Sequence, residues 1–266
     1  MIRAVRAARD RRKEANRLEG PAFWAAAIVA AMLVGMGKGG LPVVAMLSVP
    51  LLSLWISPVT AAGLLLPVYV VSDIFGLYAY RRDYDRRVLW IVVPAAAVGI
   101  AIGGLTASIV PERAVVALVG LIGTVFALSL ILRRGPPPEP RPARVGPGLF
   151  WGAATGFTSF VSHAGGPPWQ VYVLPLGLSK TVFAGTSTIA FAWINAIKLI
   201  PYWALGQLSP GNLKTAAVLM LPAAGSVFLG LWLVRRLPER LFFALVTWAL
   251  LAVSLRLLWQ AARPAG

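Results

Sequence analysis

Residues 35–42 read Gly35-Met36-Gly37-Lys38-Gly39-Gly40-Leu41-Pro42, and residues 162–168 read Ser162-His163-Ala164-Gly165-Gly166-Pro167-Pro168. Each stretch interrupts a long apolar run with glycine and then proline. Such a break frees backbone N–H and C=O groups, and in lipid they are tolerated only where they line a cavity or are buried in protein. The two breaks are part of a larger repetition. Asp73, inside one apolar run, is answered by Asn195 inside another. Gly103 and Pro111-Glu112-Arg113 are answered by Gly230 and Pro238-Glu239-Arg240. The three marks keep their order at offsets of 126, 122 and 127 residues. A duplicated apolar unit with glycine breaks and a few buried polar groups is a common build for membrane transporters, with the substrate site between the copies.

Composition agrees with that class. Hydrophobic residues make up 58% of the 266-residue chain and charged residues 13%, about half the charge of an average soluble domain. Ten apolar segments follow a basic tail: 21–36, 41–56, 59–80, 88–108, 113–132, 147–162, 167–178, 181–201, 213–234 and 239–259. They do not alternate as barrel strands would. The expected fold is therefore an all-α polytopic membrane protein with two pseudo-symmetric repeats of inverted topology and about 8–10 apolar helical segments. Its divisions are the tail 1–20, a first transmembrane repeat 21–132, a Pro/Arg-rich cytosolic linker 133–146 and a second repeat 147–260. The first span reads as uncleaved, because apolar segments continue after it without a clear small-residue cleavage site. In each half the first two segments are short. Two helices of about 16 residues reach only about 24 Å each, so each pair suits a broken hairpin.

The net charge of +16 sits largely in loops and the tail. That is the bias of cytosolic loops in membrane proteins, and it does not call for nucleic acid. Residues 81–87 hold four arginines, the linker four and residues 235–240 three; the matching loops of the other half are nearly free of them. Opposite bias in matching loops is expected of an inverted repeat, which needs each hairpin to return to the side it entered from. The tail, with seven Lys or Arg, pulls the other way: its charge favours the cytosol, while strict inversion places it opposite residues 81–87.

The chain has no cysteine and one histidine, so thiolate chemistry is excluded and neither a metal cluster nor a cofactor is expected. Lys38, Asp73, His163 and Lys198 lie well inside apolar stretches, where a charge costs about 2.5–3.5 kcal/mol on insertion scales. Thr188, Phe191, Asn195 and Lys198 share one helical face. Gly39, Gly40, Gly165 and Gly166 offer backbone amides; helices beginning at Pro42 and Pro167 would turn their positive ends toward a small anion. Lys38 and His163 add positive charge, Gln170, Thr186, Asn195 and Lys198 complete the expected substrate set, and Asp73 is the expected coupling group. The competing reading of the glycines is close helix packing. A phosphate loop is rejected, because the hydroxyl residue and the glycine spacing are missing.

The second turn, with Tyr172, Leu174-Pro175, Lys180, Phe183-Ala184-Gly185-Thr186, Asn195, Lys198, Pro201-Tyr202 and Leu205-Gly206, resembles the TauE/SafE family of membrane permeases over residues 21–260. The resemblance implies a plasma-membrane (bacterial inner-membrane) carrier for sulfite, sulfoacetate or other organosulfur anions. Much of that family has a glycine triplet in each turn, where this chain has Lys38-Gly39-Gly40 and Ala164-Gly165-Gly166. The expected function is a secondary transporter for a small anion, by alternating access, with the bilayer and a coupling proton as partners; an oligomer is compatible with it. The alternatives are a membrane-embedded enzyme built on Ser159, Ser162 and His163, and a non-transporting scaffold subunit.

Overall fold

The computed structural model describes residues 20–56, 58–106, 109–133, 139–204 and 210–262. Among these residues the chain is helical and contains no strand. The basic tail, apart from Gly20, and part of the linker lie outside them. The helices are α1 (Pro21–Lys38), α2 (Pro42–Ala45), α3 (Ser48–Leu52), α4 (Pro58–Ala79), α5 (Arg86–Thr106), α6 (Glu112–Ile131), α7 (Val145–Ser162), α8 (Gly166–Val173), α9 (Lys180–Ala204), α10 (Pro210–Arg236) and α11 (Glu239–Ala262); a 3₁₀ turn, Leu174–Leu176, follows α8.

Seven of these helices are long and apolar enough to cross a membrane. The eighth long helix, α7, has a lower hydropathy because it carries four glycines and four hydroxyl residues. Around the bundle, Leu105 and Leu221 are each 81% exposed and Trp90 is 80% exposed. So much exposed apolar surface suits lipid and not water. The protein is an all-α polytopic membrane protein.

The second apolar segment of each half is not one helix. Residues 41–56 form α2 and α3, separated by a turn at Met46-Leu47, and residues 167–178 form α8 and the 3₁₀ turn, which ends at Gly177 with φ 62°. Proline at 42 starts a helix that has no time to propagate before Tyr69 takes the Ala45 carbonyl, at 2.8 Å.

Hydrogen bonds show what lies at each end of the bundle. Arg87 Nε donates to the Ala143 carbonyl (2.9 Å), the Arg141 N–H to Pro175 (3.0 Å) and Lys180 Nζ to Val234 (3.0 Å). The 81–87 loop, the linker, the 3₁₀ turn and the end of α10 therefore share one end, which is rich in arginine. At the far end Arg113 Nε donates to the Ala261 carbonyl (2.5 Å). Phe23 and Trp24, at the start of α1, share a hydrophobic cluster with Trp55 and Ile56, just before α4, and with Ala216, in the first two turns of α10. Both of those helices finish at the arginine end, so α1 starts at the far end. The α1–α2–α3 hairpin thus enters and leaves at the far end, and the α7–α8 hairpin enters and leaves at the arginine end. The start of α1 thus stands opposite residues 81–87.

The packing of the two halves corresponds. α5 lies along α7 and α10 along α1; α4 crosses α9; α6 pairs with α11. Glycine makes the first two contacts close. A Cβ on Gly99 would stand 2.0 Å from the Ala153 oxygen, and one on Gly35 would stand 1.9 Å from the Ala223 oxygen. These contacts bring backbone against backbone, as small residues permit between membrane helices.

Candidate anion site between the hairpin tips

Where α4 crosses α9, Asp73 and Asn195 meet. The Asn195 Nδ2 donates to Asp73 Oδ2 at 2.9 Å. On the other oxygen, Lys38 Nζ stands 2.7 Å from Asp73 Oδ1, an ion pair whose two side chains are each 5% exposed. Lys38 is the last residue of α1, and its carbonyl accepts from Thr188 Oγ1 at 3.3 Å. The pair therefore ties the first hairpin to both crossing helices. Lys38 also lies over the Tyr69 ring, 5.2 Å from its centroid, within cation–π range.

One helical turn beyond Asn195, Lys198 is buried without a carboxylate. Its Nζ donates to Ser159 Oγ at 3.2 Å and to the Ser159 carbonyl at 3.3 Å. Among the described residues Lys38–Asp73 is the one ion pair. Gln170 on α8 is buried too, and its Oε1 has no hydrogen-bond partner. Rotation of that amide turns the same position from acceptor to donor.

These groups surround a cavity of about 60 Å³ lined by Lys38, His163, Gly165, Gly166, Gln170, Asn195 and Lys198, with Tyr69, Trp169 and Phe191 as aromatic walls. A water needs roughly 10–15 Å³ by this measure, so the space suits about four to six non-hydrogen atoms. No carboxylate lines it. The local folding explains why a space exists. His163 caps α7 in the left-handed region, φ 53°, and so turns the chain at once into Ala164-Gly165. Its Nε2 shares a hydrogen bond with the Tyr202 hydroxyl. A Cβ on Gly166 would stand 2.3 Å from Met46 Sδ, so the tips of the two hairpins touch at that glycine. Within the first turn of α8, Pro167 and Pro168 have no N–H, leaving the amides of Gly165 and Gly166 as the donors at that helix start.

Three residues of the expected set stand elsewhere. Gly39 and Gly40 do not line the cavity. Their amides bond within the turn, to Gly35 and Gly37 at 2.9 and 3.2 Å, and the four-residue α2 is too short to present a helix end. Gly39 instead abuts Gly230 of α10, and the Tyr80 hydroxyl donates to its carbonyl at 2.7 Å. Thr186 is engaged at the arginine end: its Oγ1 donates to Val182 and accepts the Asp85 N–H at 2.9 Å. Asp73 sits behind the cavity wall. The sequence reading missed Trp169, whose Nε1 donates to Ser187 Oγ at 2.9 Å, and Met46. A tryptophan beside a glutamine immediately after a proline pair was the available signal for the first; nothing local marks the second.

A family model described as sulfite exporter TauE/SafE matches residues 9–257. The chain belongs to this family. No curated protein and no solved structure matches it. As a TauE/SafE protein it is a multi-pass membrane permease of a family of sulfur-anion exporters. TauE/SafE is a family of transporters, not of enzymes.

Proposed function

We propose that the protein is a secondary carrier for a small sulfur oxyanion or a comparably small carboxylate, bound between the hairpin tips and moved by alternating access across the bacterial inner membrane. The observation that carries this reading is Lys198: a buried lysine facing a cavity, held by serine oxygens and lacking a counter-ion. A buried charge of this kind is costly unless something neutralises it. Gln170, the amides of Gly165 and Gly166, and His163 are the further groups around the anion, and Asn195 holds Asp73 in place. The size of the cavity favours sulfite over the longer sulfoacetate.

The matching contacts of the two halves support reading them as inverted repeats, the first over 21–132 and the second over 147–260, with the arginine end in the cytosol. Charge balance supports a coupling proton. Lys38 and Asp73 cancel, so Lys198 balances one negative charge; a doubly charged anion needs one more positive charge, and a proton on His163 supplies it. Asp73 then serves as a latch, and releases Lys38 only if it is protonated.

Labelled sulfite counterflow in proteoliposomes tests the reading, with sulfoacetate as competitor. Lys198→Met should abolish sulfite counterflow and remove the stabilisation by sulfite seen in thermal unfolding; a charge-assisted contact is worth about 1.5–3 kcal/mol, or roughly 10–100-fold in affinity. Unchanged counterflow in that variant would refute the site.

A further inference from the structure

Three larger clefts surround the central cavity. The far-end cleft, of about 640 Å³, is lined on α11 by Val253, Arg256, Leu257, Trp259 and Gln260. A cleft at the arginine end, of about 670 Å³, is lined on α6 by Phe126, Ser129 and Leu130 and just beyond its end by Leu132 and Arg133. Each of these five pairs is separated by 127 residues, the offset that relates Gly103 to Gly230. Val49 and Pro50 in the first cleft answer in the same way to Pro175 and Leu176 at the arginine end, at the 126-residue offset of the glycine breaks.

The two clefts differ in what they reach. Met46 and His163 line both the far-end cleft and the central cavity. Among the described residues, none lines both the central cavity and either arginine-end cleft. The barrier on that side is bonded: Tyr80 to Gly39, the Asp85 amide to Thr186, and Arg141 to Pro175. The far-end barrier consists of the His163–Tyr202 hydrogen bond and the flexible Met46 side chain. In the far-end cleft Arg256 is half-buried in an apolar helix and forms no ion pair among the described residues. Its side chain lines the cleft and is not turned wholly to lipid, so it is placed to meet a solute that enters there.

We propose that the clefts are the two mouths of one anion path. The far-end mouth opens onto the site past His163 and Tyr202, the arginine-end mouth beside α6 is shut in this conformation, and Arg256 receives the anion before it reaches Lys198. The inference rests on the transport reading above and adds the route and the residues at each mouth. The inner mouth differs from the outer in charge: Arg133 stands where the outer has Gln260, Arg141 adds a second cation, and the acid Glu112 lines the outer mouth alone. Once open, it also holds an anion favourably.

The cysteine-free chain makes the test direct. Ser129→Cys and Gln260→Cys are made singly and reacted with a membrane-impermeant maleimide added to one face of oriented vesicles. Gln260→Cys should react from the far face and Ser129→Cys from the arginine face. Loading with sulfite should change the two rates in opposite directions, by roughly twofold or more, because a ligand shifts a two-state population only by favouring one state. Reaction of both from one face, or rates that rise or fall together, would overturn the paired mouths. If sulfite leaves both rates unchanged and another solute moves them reciprocally, the mouths stand and the sulfur-anion reading falls. Arg256→Gln should raise the KM for entry from the far face but not from the arginine face; an equal rise at both faces would overturn its assignment.

Discussion

Replacing Asp73 by Asn removes one charge while keeping the shape of the side chain. The amide oxygen can still accept from Asn195, so the link between α4 and α9 keeps a hydrogen bond. Lys38 keeps its charge and loses its partner. It then shares the core with Lys198, and no carboxylate faces either. In the present structure Lys38 Nζ and Asp73 Oδ1 are 2.7 Å apart and almost fully buried, so solvent screens the loss little. Breaking a buried pair from one side costs about 3–5 kcal/mol. For chains of 150–250 residues each kcal/mol moves the midpoint by about 2–4 °C, so the expected fall in Tm is roughly 6–20 °C. The double variant Lys38→Met/Asp73→Leu should recover most of it, because a well-packed apolar pair often matches a buried ion pair. Thermal unfolding in detergent, followed through the ten tryptophans, measures both. A single variant within about 0.5 kcal/mol of the parent, or a double variant no better than the single, would show that the pair is not what ties the first hairpin to the crossing helices.

Two further outcomes separate packing from binding. Thr186→Val loses the hydrogen bond to the Asp85 amide and should lower stability by about 1 kcal/mol while leaving sulfite affinity unchanged in the thermal-shift titration; a weaker affinity would return Thr186 to the binding site. Gly166→Ala places a methyl group 2.3 Å from Met46 Sδ, so counterflow should fall, and the added Met46→Ala should restore part of it. Failure of that rescue would mean that the hairpin tips do not limit each other's movement.

Part of this arrangement was legible because it depends on spacing alone. The span-length blocks, the two breaks and the equivalence of Asp73 with Asn195 follow from periodicity and offset. Residues equivalent under exchange of the halves can meet where the halves cross, and these two do, at 2.9 Å. The Lys38–Asp73 pair was not legible, since it depends on where the end of α1 docks on α4. At the first glycine break the backbone bonding differs from the expectation for a local reason. α1 closes with a regular bond from the Gly39 amide to Gly35 at 2.9 Å, so the amides thought to be free are spent inside the turn, and the glycines serve the contact with α10. Thr186 was drawn into the site by a run of small hydroxyl residues, of which Ser187 and Thr188, one and two positions on, do line the cavity. Arg256 escaped notice because it lies near the end of its apolar run, where a cation usually reads as an interfacial anchor.

The departure of this chain from the glycine triplet at its first break has a charge consequence. A lysine at position 38 suggests an extra cation for the anion, and hence a preference for more negative substrates. The geometry argues otherwise. The ammonium of Lys38 is held by Asp73 from α4, the carboxylate is held in turn by Asn195, and the three form a neutral strut along one wall of the cavity. For the proposed substrate there remain Lys198 on that same face of α9, neutral donors, and His163 when it carries the coupling proton. In the proposed carrier the two lysines thus divide the work: one fixes the first hairpin to the helix crossing, and the other is left for the passing anion. A carrier must bind its substrate and also let it go. A site with one uncompensated charge, hydrogen-bonded only to Ser159 when empty, meets both demands better than a site with two, because neutral serine oxygens can take the ammonium back when the anion leaves.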